Sequence, residues 1–353
     1  VMPVTNITIL TRDLFMGRFE YRDILWVTLS TTLYASAAVA VAAKLFGQEA
    51  VLFADSGSIK TIFRRRFFKV TDRPGTALAL LLVAGVFSTN FFIQVSLLGK
   101  PGLIGTTTYW LGFGALLVTL FLLLPIGAAV YSRVRVKPAF NLRVPPLRGW
   151  VAALCIGVGA PVLGQAWLTF QQTWMPMSAE LEQALKPLES CLANTPLLTL
   201  VFFMAILPGI CEEFFFRGYA LSGVRGTLGK IPAIFIVAFA FGIYHGSVQR
   251  LVITTSLGML FGVLGVQYRS IWLAVLAHML YNGLNVLSVR PDGLKLTLES
   301  WGYLPNASGM PPGAWIAGSA GLMGVGLLLA ILLPARASTT APDAHVDALD
   351  TPS

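Results

Sequence analysis

Between Cys211 and Asn282 the chain carries Glu212, Glu213 and Arg217 in CEEFFFR, His245 in FGIYH, and His278 and Asn282 in HMLYN, all inside strongly apolar sequence. The whole chain has 3 histidines, and two of them stand here. An ionisable side chain at mid-bilayer costs at least about 2.5–3.5 kcal/mol on insertion scales, so such groups face a protein-lined cavity and mark function. At helical spacing Glu213 and Arg217 lie four apart, share a face and can pair. Glu212 points about 100° away from Glu213 on the same helix. The two carboxylates therefore need not do the same job. Phe241 and His245 are also four apart, as are His278 and Asn282, and Asn285 continues the latter face.

A carboxylate beside a histidine in a low-dielectric pocket suits general-base activation of water. A second histidine with an asparagine one turn away supplies donors for an oxyanion. Together these are the parts of a peptide-hydrolysing site without a covalent nucleophile. Spacing alone leaves two other readings open: a buried Glu–Arg pair and histidines that only join helices, or an ion pathway in a transporter. Glu212, His245 and His278 are also a ligand set for zinc or another divalent metal. The HExxH helix motif is absent, however, and the three ligands would come from three helices. Cys211, beside Glu212, reads as a small helix-packing residue rather than a nucleophile.

The elements that position these residues are membrane helices. Of the 353 residues 56% are hydrophobic and 12% charged, and the mean hydropathy is +0.74. The expected fold is all-α and polytopic, with about nine spans near 24–46, 76–98, 106–132, 149–170, 196–222, 231–246, 251–268, 270–289 and 313–333. The net charge of +9 comes from basic residues flanking those spans. It therefore sets orientation in a lipid bilayer and does not point to a nucleic-acid partner. Loops 47–75, 133–148 and 223–230 are basic and alternate with less basic ones, which puts the N-terminus outside and the C-terminus inside. Segment 178–189 (SAELEQALKPLE) is expected to be a short amphipathic helix on the outer surface, ended or kinked by Pro187. Cys155 and Cys211 fall in spans and Cys191 in a polar loop, which gives no disulfide framework. The tail 335–353, with the third histidine, His345, reads as a disordered cytoplasmic segment.

The ordered set EExxxR, FxxxH and HxxxN, each in an apolar helix, resembles the CAAX-prenyl-protease and bacteriocin-processing (CPBP) family of intramembrane proteases. The likeness covers about 196–289 directly and frames a protease domain at 75–334 with about eight of the spans. The resemblance implies that Glu212 and His245 activate water, that His278 and Asn282 stabilise the oxyanion, and that Glu213, Arg217 and Phe241 organise the site. It implies a peptide or membrane-protein substrate and a bacterial inner-membrane location, with no cofactor expected and a divalent metal as the alternative. The first 55 or so residues (PVTNITILTRDLF…) resemble the last segment of a sodium-export-type ABC-transporter permease. That likeness implies a permease remnant at 1–70 with one span, a fusion from which the rest has been cut off, and an ABC ATPase partner. The runner-up function is a non-proteolytic component of an export system with a structural polar cluster.

One expectation conflicts with a common site. Counting about 1.5 Å per residue from the expected span ends, Glu212, His278 and His245 spread over roughly 15 Å of depth. Convergence requires either different span ends or a sixth helix that starts well before the membrane.

Overall fold

The computed structural model describes residues 21–46, 68–100, 102–177 and 179–332, with a few positions before 21 and residue 65. The tail 335–353, most of the N-terminal 20 residues, most of the loop 47–67 and Ser178 lie outside the described residues.

The described chain is helical and polytopic, without named strands. Helix α1 is Tyr21–Phe46. Then follow α2 (Thr76–Leu98), α3 (Thr107–Tyr131), α4 (Leu147–Gln171), α5 (Ala179–Asn194), α6 (Leu197–Leu228), α7 (Lys230–Tyr244), α8 (Val248–Gln267), α9 (Trp272–Val289) and α10 (Gly313–Leu332). Among the described residues 7 helices are long and apolar enough to cross a membrane: α2, α3, α4, α6, α8, α9 and α10. The expected sixth span is α7, an apolar helix of 15 residues, and α1 stands where the first was expected.

Loops that the basic residues assign to one side are physically joined. Thr71 pairs with Val134 in an isolated parallel bridge, and Arg135 binds Asp72 at 2.6 Å. The Ser270 hydroxyl donates to the Arg143 carbonyl at 2.7 Å, and Thr76 donates to the carbonyl of Gly223 at 2.8 Å. The other set meets at the opposite end. Gln171 donates to the Gln249 carbonyl at 3.0 Å, and Arg290 binds the Leu192 carbonyl at 2.7 Å. In a bilayer there is no hydrophobic gain from helix–helix contact, so packing and such bonds carry the association.

Three expectations are corrected. Pro187 does not end the amphipathic helix, which runs on to Asn194. Its last carbonyls, Leu192 and Ala193, are held by Arg290, which secures the turns beyond the proline. Cys191 is not in a polar loop: it is buried on α5 against Trp110 and Leu200. The expected spread in depth is not observed between the two histidines, whose rings both contact Phe241, and α6 ends at Leu228, beyond the expected 222. Arg217 lies beside Gly265, two residues from the end of α8. Ile234 and Ala238 of α7 lie against Gly262 and Gly258 of α8, so α7 starts level with the end of α8.

Candidate active site

Glu213 is the centre of a buried knot. Its Oε1 accepts from Arg217 Nη1 at 2.8 Å and from His278 Nδ1 at 2.8 Å. Arg217 also donates from Nη2 to the carbonyl of Gly258 at 3.0 Å. Its guanidinium lies 4.5 Å from the Phe241 ring and 5.3 Å from Phe261, where the aromatic faces attract the cation. The His278 ring stacks on Phe261 at 5.3 Å and meets Phe241 edge-on at 5.8 Å. Glu213, Arg217 and His278 are 0%, 1% and 3% exposed. Side chains or carbonyls of α6, α7, α8 and α9 thus converge on one carboxylate. Its second oxygen, Oε2, is buried and has no hydrogen-bond partner among the described residues.

Local sequence explains the convergence. Gly209 precedes Glu213 by one turn. A Cβ there would stand 2.5 Å from Met279 Cγ and 3.3 Å from the Met279 nitrogen. Only glycine lets α9 close on α6 at this level, which delivers the adjacent His278 to Glu213. Gly258 begins the GMLFG pair on α8, and a Cβ there would meet Ala238 Cα at 2.9 Å. Small residues four apart allow such backbone contact between membrane helices, and they bring the Gly258 carbonyl within reach of Arg217. Directly after Glu213, α6 changes to π-helical bonding over Phe214–Ala220, closing with Leu221 N–H on the Phe216 carbonyl. Similar segments occur at Gln94–Leu98, Val118–Leu123 and Phe202–Ile206, so this one does not by itself mark a site.

Glu212 is placed differently. It is half-buried and makes no hydrogen bond or ion pair among the described residues. It stands within electrostatic reach of His278, Glu213 and Arg217. His245 ends α7, is exposed, and its Nδ1 lies 2.8 Å from the Phe241 carbonyl. A carbonyl only accepts, so Nδ1 carries the proton and the Nε2 lone pair remains free. His245 and His278 contact the same Phe241 ring, at 4.7 Å and 5.8 Å. His245 and His278 thus meet at one ring from two helices, and Glu212 lies within electrostatic reach of His278.

Asn282 has a partner that the spacing did not indicate. Its Nδ2 donates to the Met204 carbonyl on α6 at 3.0 Å. Met204 lies in the π-helical stretch Phe202–Ile206 of α6, and the residue four places on, Pro208, has no N–H to offer its carbonyl. Asn282 fills the gap, so one of its donors ties α9 to α6. Among the described residues no three His, Cys, Asp or Glu side chains group closely enough to hold a metal ion. The alternative ligand set Glu212, His245 and His278 is not gathered as a chelate.

Residues 194–284 match the family model for Rce1-like, type II CAAX prenyl endopeptidase. The matched stretch contains every residue of the knot and both open groups, Glu212 and His245. It begins at α5's last residue, so the permease likeness of the first 55 or so residues is left without support. No curated protein and no solved structure matches the chain.

Four contributors to the site escape a reading of the spacing: Phe261 beneath His278, the Gly258 carbonyl, Gly209 and Pro208. The GxxxG pattern at Gly258–Gly262 was the available signal for the second of these. The proline four residues beyond Met204 was a signal for a carbonyl in need of a donor.

Proposed function

We propose that this chain is an intramembrane endopeptidase in which Glu212, with His245, activates a water for attack on a peptide carbonyl. The observation that carries the reading is the division between the two carboxylates. Glu213 is committed to Arg217 and His278, whereas Glu212 has no protein partner and keeps its lone pairs for a water. His245, with Nδ1–H given to Phe241, offers Nε2 to the same water. The likeness of 194–284 to CAAX prenyl endopeptidases supports the same reaction class. In this reading His278 carries a proton on each ring nitrogen, giving Nδ1–H to Glu213 and Nε2–H to the developing oxyanion, and Asn282 keeps one N–H for it after binding Met204. Glu213, Arg217 and Phe241 hold the arrangement, and the two side chains activate water without a resident cation.

The substrate in this reading is a peptide or a membrane-protein segment, and the membrane a bacterial inner membrane with the N-terminus outside. The reading is tested by cleavage of a peptide library in liposomes by the wild type and by Glu212→Ala. Equal cleavage by both sinks it. One firmly held zinc per purified chain, lost together with activity on His278→Ala, makes the mechanism metal-based instead. Labelling of a cysteine at position 143 from outside, in a background lacking the three native cysteines, reverses the orientation.

A further inference from the structure

His245 stands where α7 stops. Tyr244 is the last residue of that helix, His245 caps it, and Gly246 turns the chain away with φ +61°, a backbone conformation that favours glycine. Past the histidine the chain leaves the helix, so the place of its backbone is set from the residues before it. The ring is tethered within its own helix, Nδ1–H on the Phe241 carbonyl at 2.8 Å. This bond fixes the ring relative to α7. It leaves open where the end of α7 stands relative to α6 and α9, which carry Glu212 and His278.

Tyr244 supplies a constraint from outside the site. Its hydroxyl donates to the Val83 carbonyl on α2, a helix that carries none of the site residues. Its ring meets Phe87 of α2 at 5.3 Å, Phe121 of α3 at 5.8 Å and Phe216 of α6 at 5.0 Å. Phe216 in turn meets edge-on, at 5.1 Å, the Phe241 ring that both histidines contact. Aromatic pairs are favourable over centroid distances of about 4.5–7 Å, so these contacts locate the phenol only broadly. The hydroxyl bond has a narrower range of length and angle and fixes its height against α2. The bond is also dispensable to the fold. In an α-helix the Val83 carbonyl accepts Phe87 N–H, and a carbonyl has two lone pairs. Losing the hydroxyl therefore strands no buried group.

We infer that Tyr244 is a positioning residue for the water-activating step: fastened to Val83 on α2, it holds the end of α7 so that His245 Nε2 reaches the water that Glu212 activates. Its effect on rate rests on the protease reading above, and its effect on the His245 ring rests on the geometry alone.

Tyr244→Phe keeps the ring and removes the hydroxyl. The thermal midpoint of the full chain in detergent should fall by less than about 4 °C, the worth of one net hydrogen bond. Cleavage of a peptide that the wild type cuts should lose about 10-fold in kcat with KM held within about 2-fold, because a catalytic group displaced by about 1 Å loses up to about 10²-fold in rate while substrate binding is untouched. A second readout needs no substrate. The chain has 3 histidines, so His345→Ala leaves the ring nitrogens of His245 and His278 to be followed by NMR of nitrogen-15-histidine-labelled protein in liposomes. In Tyr244→Phe the His245 signals should shift or broaden, whereas those of His278, held by Glu213, should stay. Wild-type kcat in Tyr244→Phe, unchanged His245 signals, or His278 signals that move as much, overturns the inference. So does a midpoint lowered by more than about 10 °C in step with activity, which would make the phenol a general support of the fold. Equal cleavage by the wild type and Glu212→Ala sinks the protease reading instead, and the His245 signals then still decide whether Tyr244 positions that ring.

Discussion

The surroundings of Glu213 and of Glu212 differ in how their polar atoms are satisfied, although the residues are neighbours in the chain. Around Glu213 nearly every donor is spent: Arg217 on Glu213 and Gly258, and His278 on Glu213, all under aromatic rings. Around Glu212 the side chains keep unused capacity: a carboxylate without partners and an imidazole with Nε2 free. A step of about 100° around α6 separates the two environments. Burial with both partners on one oxygen makes a structural joint, and partial exposure with spare lone pairs leaves Glu212 open to a water. A tandem carboxylate pair supplies both from one turn of helix.

The sharpest way to break this comparison is to remove a member of the joint. Arg217→Ala strands Glu213 in the interior and should cost about 3–5 kcal/mol of stability. Folded yield, the thermal midpoint in detergent and cleavage should all fall. Arg217→Lys should rescue little, because an ammonium does not reproduce a planar fork that also lies on Phe241. A wild-type midpoint in Arg217→Ala would show that the knot does not bear on the fold.

On the open side the effect should be confined to chemistry. Glu212→Gln is expected to keep the wild-type midpoint while cleavage drops by about 10²–10⁴-fold, the usual worth of a general base. Loss of folded protein would put Glu212 in the same class as Glu213 and erase the contrast.

Gly209→Ala probes how the joint is assembled. A methyl group 2.5 Å from Met279 Cγ pushes α9 off α6, and overpacking of this kind costs about 1–3 kcal/mol. Activity should fall with stability, since His278 moves with α9. The smallest expected effect is at Asn282. Asn282→Leu should lose about 1 kcal/mol, one net hydrogen bond. That loss should shrink in a Pro208→Ala background, where the main chain regains an N–H for Met204. An undiminished cost in the double variant would mean that Asn282 stabilises the protein in another way.

Much of this was legible in the sequence, for physical reasons that also set the limit. Apolar length gave the spans, and four-residue spacing gave the Glu213–Arg217 pair, because both are properties of a single helix. Basic loops sorted the connections onto two ends, and the bonds among them follow that sorting. The Glu213–His278 contact was not legible, since its partners are 65 residues apart and meet only at a register between α6 and α9 that Gly209 permits. The same holds for Asn282, which the resemblance assigned to an oxyanion and whose bond to Met204 depends on a proline in another helix. An end at Pro187 and a loop at Cys191 are not observed because Arg290 and the Trp110 cluster, not local propensity, decide how far α5 continues and what it buries.

The bond between Asn282 and Met204 has a mechanical consequence. It lies one turn along α9 from the bond between His278 and Glu213, so α6 and α9 are fastened at two points on one side. One fastening would let a helix pivot; two forbid both pivoting and sliding. The pair therefore behaves as a single rigid strut. The frame extends to α7, whose Ala238 backs onto Gly258 and whose Phe241 ring meets both Arg217 and His278, so His245 stands at the edge of a held assembly.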